Sequence, residues 1–124
     1  MATIIHFGFS AEAPKRAMAF YENLLGWKFQ TYPGPMEFYL IETTGLDGQR
    51  GIGGGMAKRE NPQDVGVTNF MAVASIDESS EQVKKLGGKV IQQKQAIPGV
   101  GYQAMCLDTE NNLFGLFQDD KNAK

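Results

Sequence analysis

One histidine, one cysteine and a glycine run followed by a lysine are the residues of this chain whose types could do chemistry. The histidine, His6, lies in Ile4-Ile5-His6-Phe7-Gly8-Phe9, a stretch whose alternation reads as a strand. His6 faces with Ile4 and Gly8 while Ile5, Phe7 and Phe9 face the other way, so the imidazole stands opposite a greasy surface. Such an imidazole has three readings: a metal ligand, a group that touches a ligand or moves a proton, or a lining residue without chemistry. Cys106 and His6 could form a nucleophile and base, but Cys106 sits among apolar residues with no neighbouring Lys or Arg to lower its pKa. It reads as a buried thiol. The run Gly51-Ile52-Gly53-Gly54-Gly55-Met56-Ala57-Lys58 suggests a phosphate cradle, yet Met56-Ala57 separates the last glycine from the lysine and no helix pattern follows. The better reading is a strand whose missing side chains open space or admit a neighbour.

Around these residues the periodicity predicts two similar series of elements. After the first strand, Ser10 to Pro14 reads as the start of a helix, and Ala17, Phe20, Tyr21, Leu24 and Leu25 form its apolar stripe, closed by Gly26. Strands are expected at Trp27 to Thr31, at Glu37 to Thr43 beyond the Pro33-Gly34-Pro35 turn, and at Gly51 to Met56. Lys58 to Gly66 reads as a linker. The second series starts at Val67 to Ser75 and continues with a helix N-capped by Asp77, with Val83 and Leu86 inward, ended by Gly87-Gly88. Strands at Lys89 to Gln93, Tyr102 to Leu107 and Leu113 to Gln118 complete it, and the polar tail 119–124 reads as frayed. Phe38, Tyr39, Tyr102, Met71, Met105 and Phe114 are spread over several strands, and those that point inward would line an apolar pocket. Glu37 and Gln118 read as a solvent-facing residue and as a carboxylate substitute only in a shifted register.

The bulk figures narrow the class of function. At 124 residues the chain is long enough for one core without staples. Twelve Lys and Arg against 14 Asp and Glu leave a net charge of -2, with no basic patch for a nucleic-acid backbone. No apolar run reaches membrane-spanning length and the first residues lack the pattern of a signal peptide, so the expected location is cytoplasmic. A lone cysteine forms no internal disulfide and suits a reducing compartment.

The order strand, helix, strand, strand, strand occurs twice, and His6 precedes the helix-ending Gly26 by about as many residues as Asn69 precedes Gly88. This gives an α+β fold: two βαβββ modules, at about 1–57 and 67–118, forming one domain shaped as an incomplete β-barrel around a cavity. Ile5-His6-Phe7 followed by Arg16 to Trp27 (RAMAFYENLLGW), together with Lys85 to Val90, Ile97 to Gly101 and Asp108 to Gln118, resembles the vicinal-oxygen-chelate superfamily. That superfamily includes glyoxalase I, bleomycin-resistance proteins and extradiol dioxygenases, and the likeness covers nearly the whole chain. Its metal-dependent members place ligands on the first and last strands of each module, His or Gln first and Glu last. His6 matches the first position, Asn69 stands at the second, and Gly115 and the Gly51 to Met56 strand offer no donor. The resemblance thus implies a glyoxalase-like protein without an intact metal set, in which His6 is the only residue suited to be a ligand and no cofactor is expected. It would bind a small organic ligand in its cavity, with His6, Asn69, Met71, Tyr39 and Phe114 as candidate contacts and His6 as the candidate catalytic group. The alternatives are a metal-dependent lyase, isomerase or dioxygenase, and a cofactor-free enzyme with His6 as base. A homodimer is carried over from the superfamily.

Overall fold

The computed structural model describes residues 2–124 and contains the ten elements in the expected order. They are β1 (Ile4–Ala11), α1 (Pro14–Leu25), β2 (Lys28–Thr31), β3 (Phe38–Glu42), β4 (Gly53–Lys58), β5 (Thr68–Ala72), α2 (Ile76–Lys85), β6 (Lys89–Ile97), β7 (Gly101–Leu107) and β8 (Leu113–Asp119). The fold is α+β, a βαβββ series occurring twice. The chain divides into two compact units, His6–Val67 and Thr68–Lys124, the latter joined by the first residues up to Ile5.

In the first unit the strands run in the order β2-β3-β4-β1, with β1 parallel to β4 and the other pairs antiparallel. Helix α1 contains no β-branched residue, starts with Pro14 in its first turn, and ends at Gly26 with φ 69°. Its inward positions are Pro14, Ala17, Met18 and Tyr21, spaced i, i+3, i+4 and i+7. This stripe is rotated from the expected one. Phe20, Leu24 and Leu25 are exposed, because Trp27, just beyond the glycine cap, stacks on Tyr21 at 4.8 Å and fills that end of the core. Ala11, Ile41 and Met56 are buried beneath the helix, flanked by Phe7, Phe9 and Phe29.

In the second unit the order is β5-β8-β7-β6, with β5 parallel to β8. Neither set of four strands closes into a barrel. Ile76, Ala104, Cys106 and Leu116 form the core, with Val83, Val90 and Phe114 packed against it. The helix begins earlier than Asp77 implied: Ser75 is the N-cap, its Oγ accepting from the Glu78 amide at 3.2 Å, while Asp77 pairs with Lys94. Leu86 is 73% exposed rather than inward, since it is the C-terminal cap and lies past the last turn that faces the sheet. Strand β6 runs to Ile97, four residues beyond the expected end, as a polar strand at the end of the order with register shifts along it. The tail is tied down rather than frayed: Ala123 is buried, and its carbonyl accepts from the Gly99 amide at 2.9 Å. Ser75→Ala is expected to cost about 1 kcal/mol of stability, the usual value of a cap, measured by urea unfolding. Ser75→Asp, which restores an acceptor, should recover it.

The three glycines of β4 divide between two jobs. A Cβ on Gly54 would lie 2.6 Å from the Phe7 ring and one on Gly55 would overlap the Phe38 ring, so both glycines let an aromatic ring lie flat across the strand. At Gly53 only the Ile41 carbonyl, 3.3 Å away, is near. Gly53 leaves open space.

Candidate functional site

That open space is the floor of a cleft of about 540 Å³ on the face of the first unit away from α1. Strand pairing fixes what stands around it. Residues opposite one another in a sheet share a face, and the pairs are His6 with Gly53, Leu40 with Gly55, Gln30 with Leu40 and Lys28 with Glu42. Continuing the β3–β4 register by one residue sets Glu42 beside Gly53. One row across the sheet therefore reads Lys28, Glu42, Gly53, His6. His6 and Glu42 belong to strands two apart, a backbone separation of about 9.6 Å, and the residue between them, Gly53, has no side chain.

Arg50 closes one end of the row, its guanidinium 3.2 Å from the Glu42 carboxylate. Both partners are largely exposed, so the ion pair adds little stability. Glu42 has a cation on either side, Lys28 across the strand pair and Arg50 from the loop. His6 is half-buried, and desolvation holds its pKa below the usual 6.5, which keeps the ring neutral at neutral pH. Below 6.5 the unfolded chain takes up a proton that the folded ring resists, so His6's contribution to stability is complete above 6.5 and is lost as pH falls through the folded value. Urea midpoints measured from pH 7.5 down to pH 5 should therefore fall, and His6→Gln should flatten that part of the curve.

Of the residues singled out from sequence as ligand contacts, His6 alone lines this cleft. Tyr39 pairs with Met56 on the α1 side, and its hydroxyl donates to Glu37 at 2.6 Å, which raises its pKa. In the second unit Asn69 and Met71 pair with Phe114 and Leu116, which places them on the α2-covered face with the core. Phe70 pairs with Gly115 on the other face, where a Cβ on Gly115 would overlap the Phe70 ring. Gln118 caps α2, its Oε1 accepting from the Ile76 amide at 2.9 Å. Sequence reasoning missed Lys28, Gln30, Glu42 and Arg50. The signal for three of them is the alternation of polar and apolar residues in Lys28-Phe29-Gln30 and Leu40-Ile41-Glu42, which only the register of β1 and β4 turns into a site.

A family model described as the glyoxalase/bleomycin resistance protein/dioxygenase superfamily matches residues 3–116. The chain belongs to this superfamily. Among solved structures it is similar to methylmalonyl-CoA epimerase from Mycobacterium tuberculosis, with TM-score 0.68 and 13% identity over 94% of this chain and 87% of that one. It is also similar to a variant of Streptomyces coelicolor methylmalonyl-CoA epimerase in complex with 2-nitronate-propionyl-CoA, with TM-score 0.69, 15% identity, and coverage of 94% and 96%. A superfamily member from Vibrio splendidus 12B01 aligns with TM-score 0.67, 17% identity, and coverage of 96% and 100%. At these identities the likeness is one of fold. Comparison with curated protein sequences gives no match.

The superfamily includes metal-dependent members, so the donors of this chain matter. Among the described residues no three His, Cys, Asp or Glu side chains gather into a group that could hold a metal ion. At Gly115, which the resemblance sets at the carboxylate position of the metal-dependent members, the neighbouring strand supplies the aromatic ring of Phe70.

Proposed function

We propose that this protein binds a small organic molecule in the cleft of its first unit, without a metal. The observation that carries this reading is the row His6, Gly53, Glu42: two groups that can exchange hydrogen bonds face each other over an empty glycine floor. A molecule lying on Gly53 would meet a neutral imidazole on one side and a carboxylate on the other, with Lys28 and Arg50 available to its anionic groups. The test is a panel of small carboxylates, hydroxy acids and acyl-CoA thioesters, the last suggested by the ligand of the S. coelicolor epimerase complex. A specific ligand raises the melting temperature by mass action, and His6→Ala or Glu42→Gln should remove the rise. Stoichiometric transition metal in protein purified without chelator would overturn the metal-free part of the reading.

A second reading is a proton-transfer enzyme, favoured by the place of His6, an imidazole whose pKa burial lowers, beside the open floor of the cleft. His6→Ala separates the two. A binding protein loses affinity, whereas an enzyme loses turnover with a smaller change in binding. A homodimer belongs to the same proposal, supported by large apolar side chains such as Leu24, 64% exposed, that a second copy would cover. Sedimentation at micromolar concentration tests it.

A further inference from the structure

The other face of the first unit carries a separate cavity of about 620 Å³, near the start of α1, which shares no residue with the cleft. Phe9, Phe20 and Tyr21 give it an aromatic wall, with Phe9 and Tyr21 at 5.5 Å between centroids and Phe20 set edge-on to Tyr21 at 5.2 Å. Arg16 and Arg59 also line it. The Arg59 guanidinium is part-buried, and its bonds go to neutral oxygens: Nε donates to the Ser10 hydroxyl at 3.1 Å and a terminal nitrogen to the Ser10 carbonyl at 2.8 Å. A guanidinium has five N–H donors, so these two fix the group in place and leave others for a ligand.

Among the described residues neither arginine has a carboxylate within ion-pair distance. The first turn of α1 holds no acidic residue. Glu12 lines the same cavity but pairs with neither arginine, and Lys58 reaches the Glu12 carbonyl, so positive charge predominates. A tie between β4 and β1 accounts for Arg59 bonding to Ser10. It does not account for Arg16, nor for two uncompensated cations beside an aromatic wall.

We propose that this cavity binds an organic anion with a flat apolar body, such as an arylalkyl carboxylate or phosphate, its charge on Arg16 and Arg59 and its ring against Phe9, Phe20 and Tyr21. Its volume is within the range of small-molecule sites, about 300–1,000 Å³. Cation and aromatic faces together select for both halves of such a molecule.

The test uses the single tryptophan, Trp27, which stacks on Tyr21 and so reports on the cavity wall by fluorescence. The whole chain is titrated with 3-phenylpropionate and phenyl phosphate, and with 3-phenylpropan-1-ol and inorganic phosphate as controls. Saturable binding of an aryl anion is expected, with each control weaker by about tenfold or more, the worth of one charge-assisted bond. Arg16→Gln should weaken binding by a similar factor, and raised salt should weaken it further. Arg16 is exposed and forms no ion pair among the described residues, so its variant folds even if Arg59→Gln loosens the link to Ser10. Lys28→Gln, in the cleft, should change nothing here. No saturation at millimolar ligand, equal binding of the alcohol, or an unchanged Arg16→Gln affinity would each overturn the proposal.

Discussion

Gly115→Val is expected to destabilise the protein by about 3 kcal/mol, the upper end for overpacking a closely fitted site. The added Cβ would run into the Phe70 ring, and the ring atoms it meets include Cγ, so a turn of the ring about its own axis cannot clear them. A new χ1 rotamer of Phe70, or movement of β5 or β8, would be needed to make room. The partner substitution gives the decisive measurement. Phe70→Ala removes the obstacle, so the double variant should be more stable than the two single effects predict, by more than about 1 kcal/mol in urea unfolding. Effects that simply add would mean that the ring and the glycine do not interlock. Gly54 and Phe7 also interlock in the first unit, but there the added Cβ would meet the far end of the ring, Cζ and both Cε atoms, on the α1-covered face.

Gly53→Leu should have the largest effect on function. Only the Ile41 carbonyl, at 3.3 Å, crowds the new Cβ, so the fold tolerates the change, but the isobutyl group would stand where the proposed ligand would lie. The expected loss of affinity is about a hundredfold, the binding equivalent of nearly 3 kcal/mol of steric conflict. Gly53→Ala should lose much less. The readout is the ligand-induced rise in melting temperature beside that of the free variant. A ligand that binds Gly53→Leu as well as the native chain would place the site elsewhere.

These two glycines also show how far the sequence can be read. The order of ten elements is legible because strands, helices and their Gly and Pro punctuation leave local signals, and Gly26 and Pro14 are where those signals place them. The α1 stripe is not, because a helix pattern with apolar residues on a wide arc does not say which part of the arc meets the sheet; the Trp27–Tyr21 stack decides that. The site is legible only at His6. Glu42 and Lys28 become neighbours of His6 through the pairing of four strands, and a register is a tertiary fact. Likewise Asn69 repeats His6 by count, but the pairing of β5 with β8 turns Phe70, one residue on, to the face shared with Gly115. A shift of one residue exchanges the faces of a strand.

The placement of Trp27 and Cys106 has a practical consequence. Cys106 is wholly buried in the second unit, and burial raises its pKa, so an alkylating reagent reaches its sulfur only when that core opens. Trp27 belongs to the core of the first unit. One natural molecule thus carries two internal clocks, a colour for one half and a reactive sulfur for the other. Whether the two tick together would reveal if the halves melt in concert or in turn.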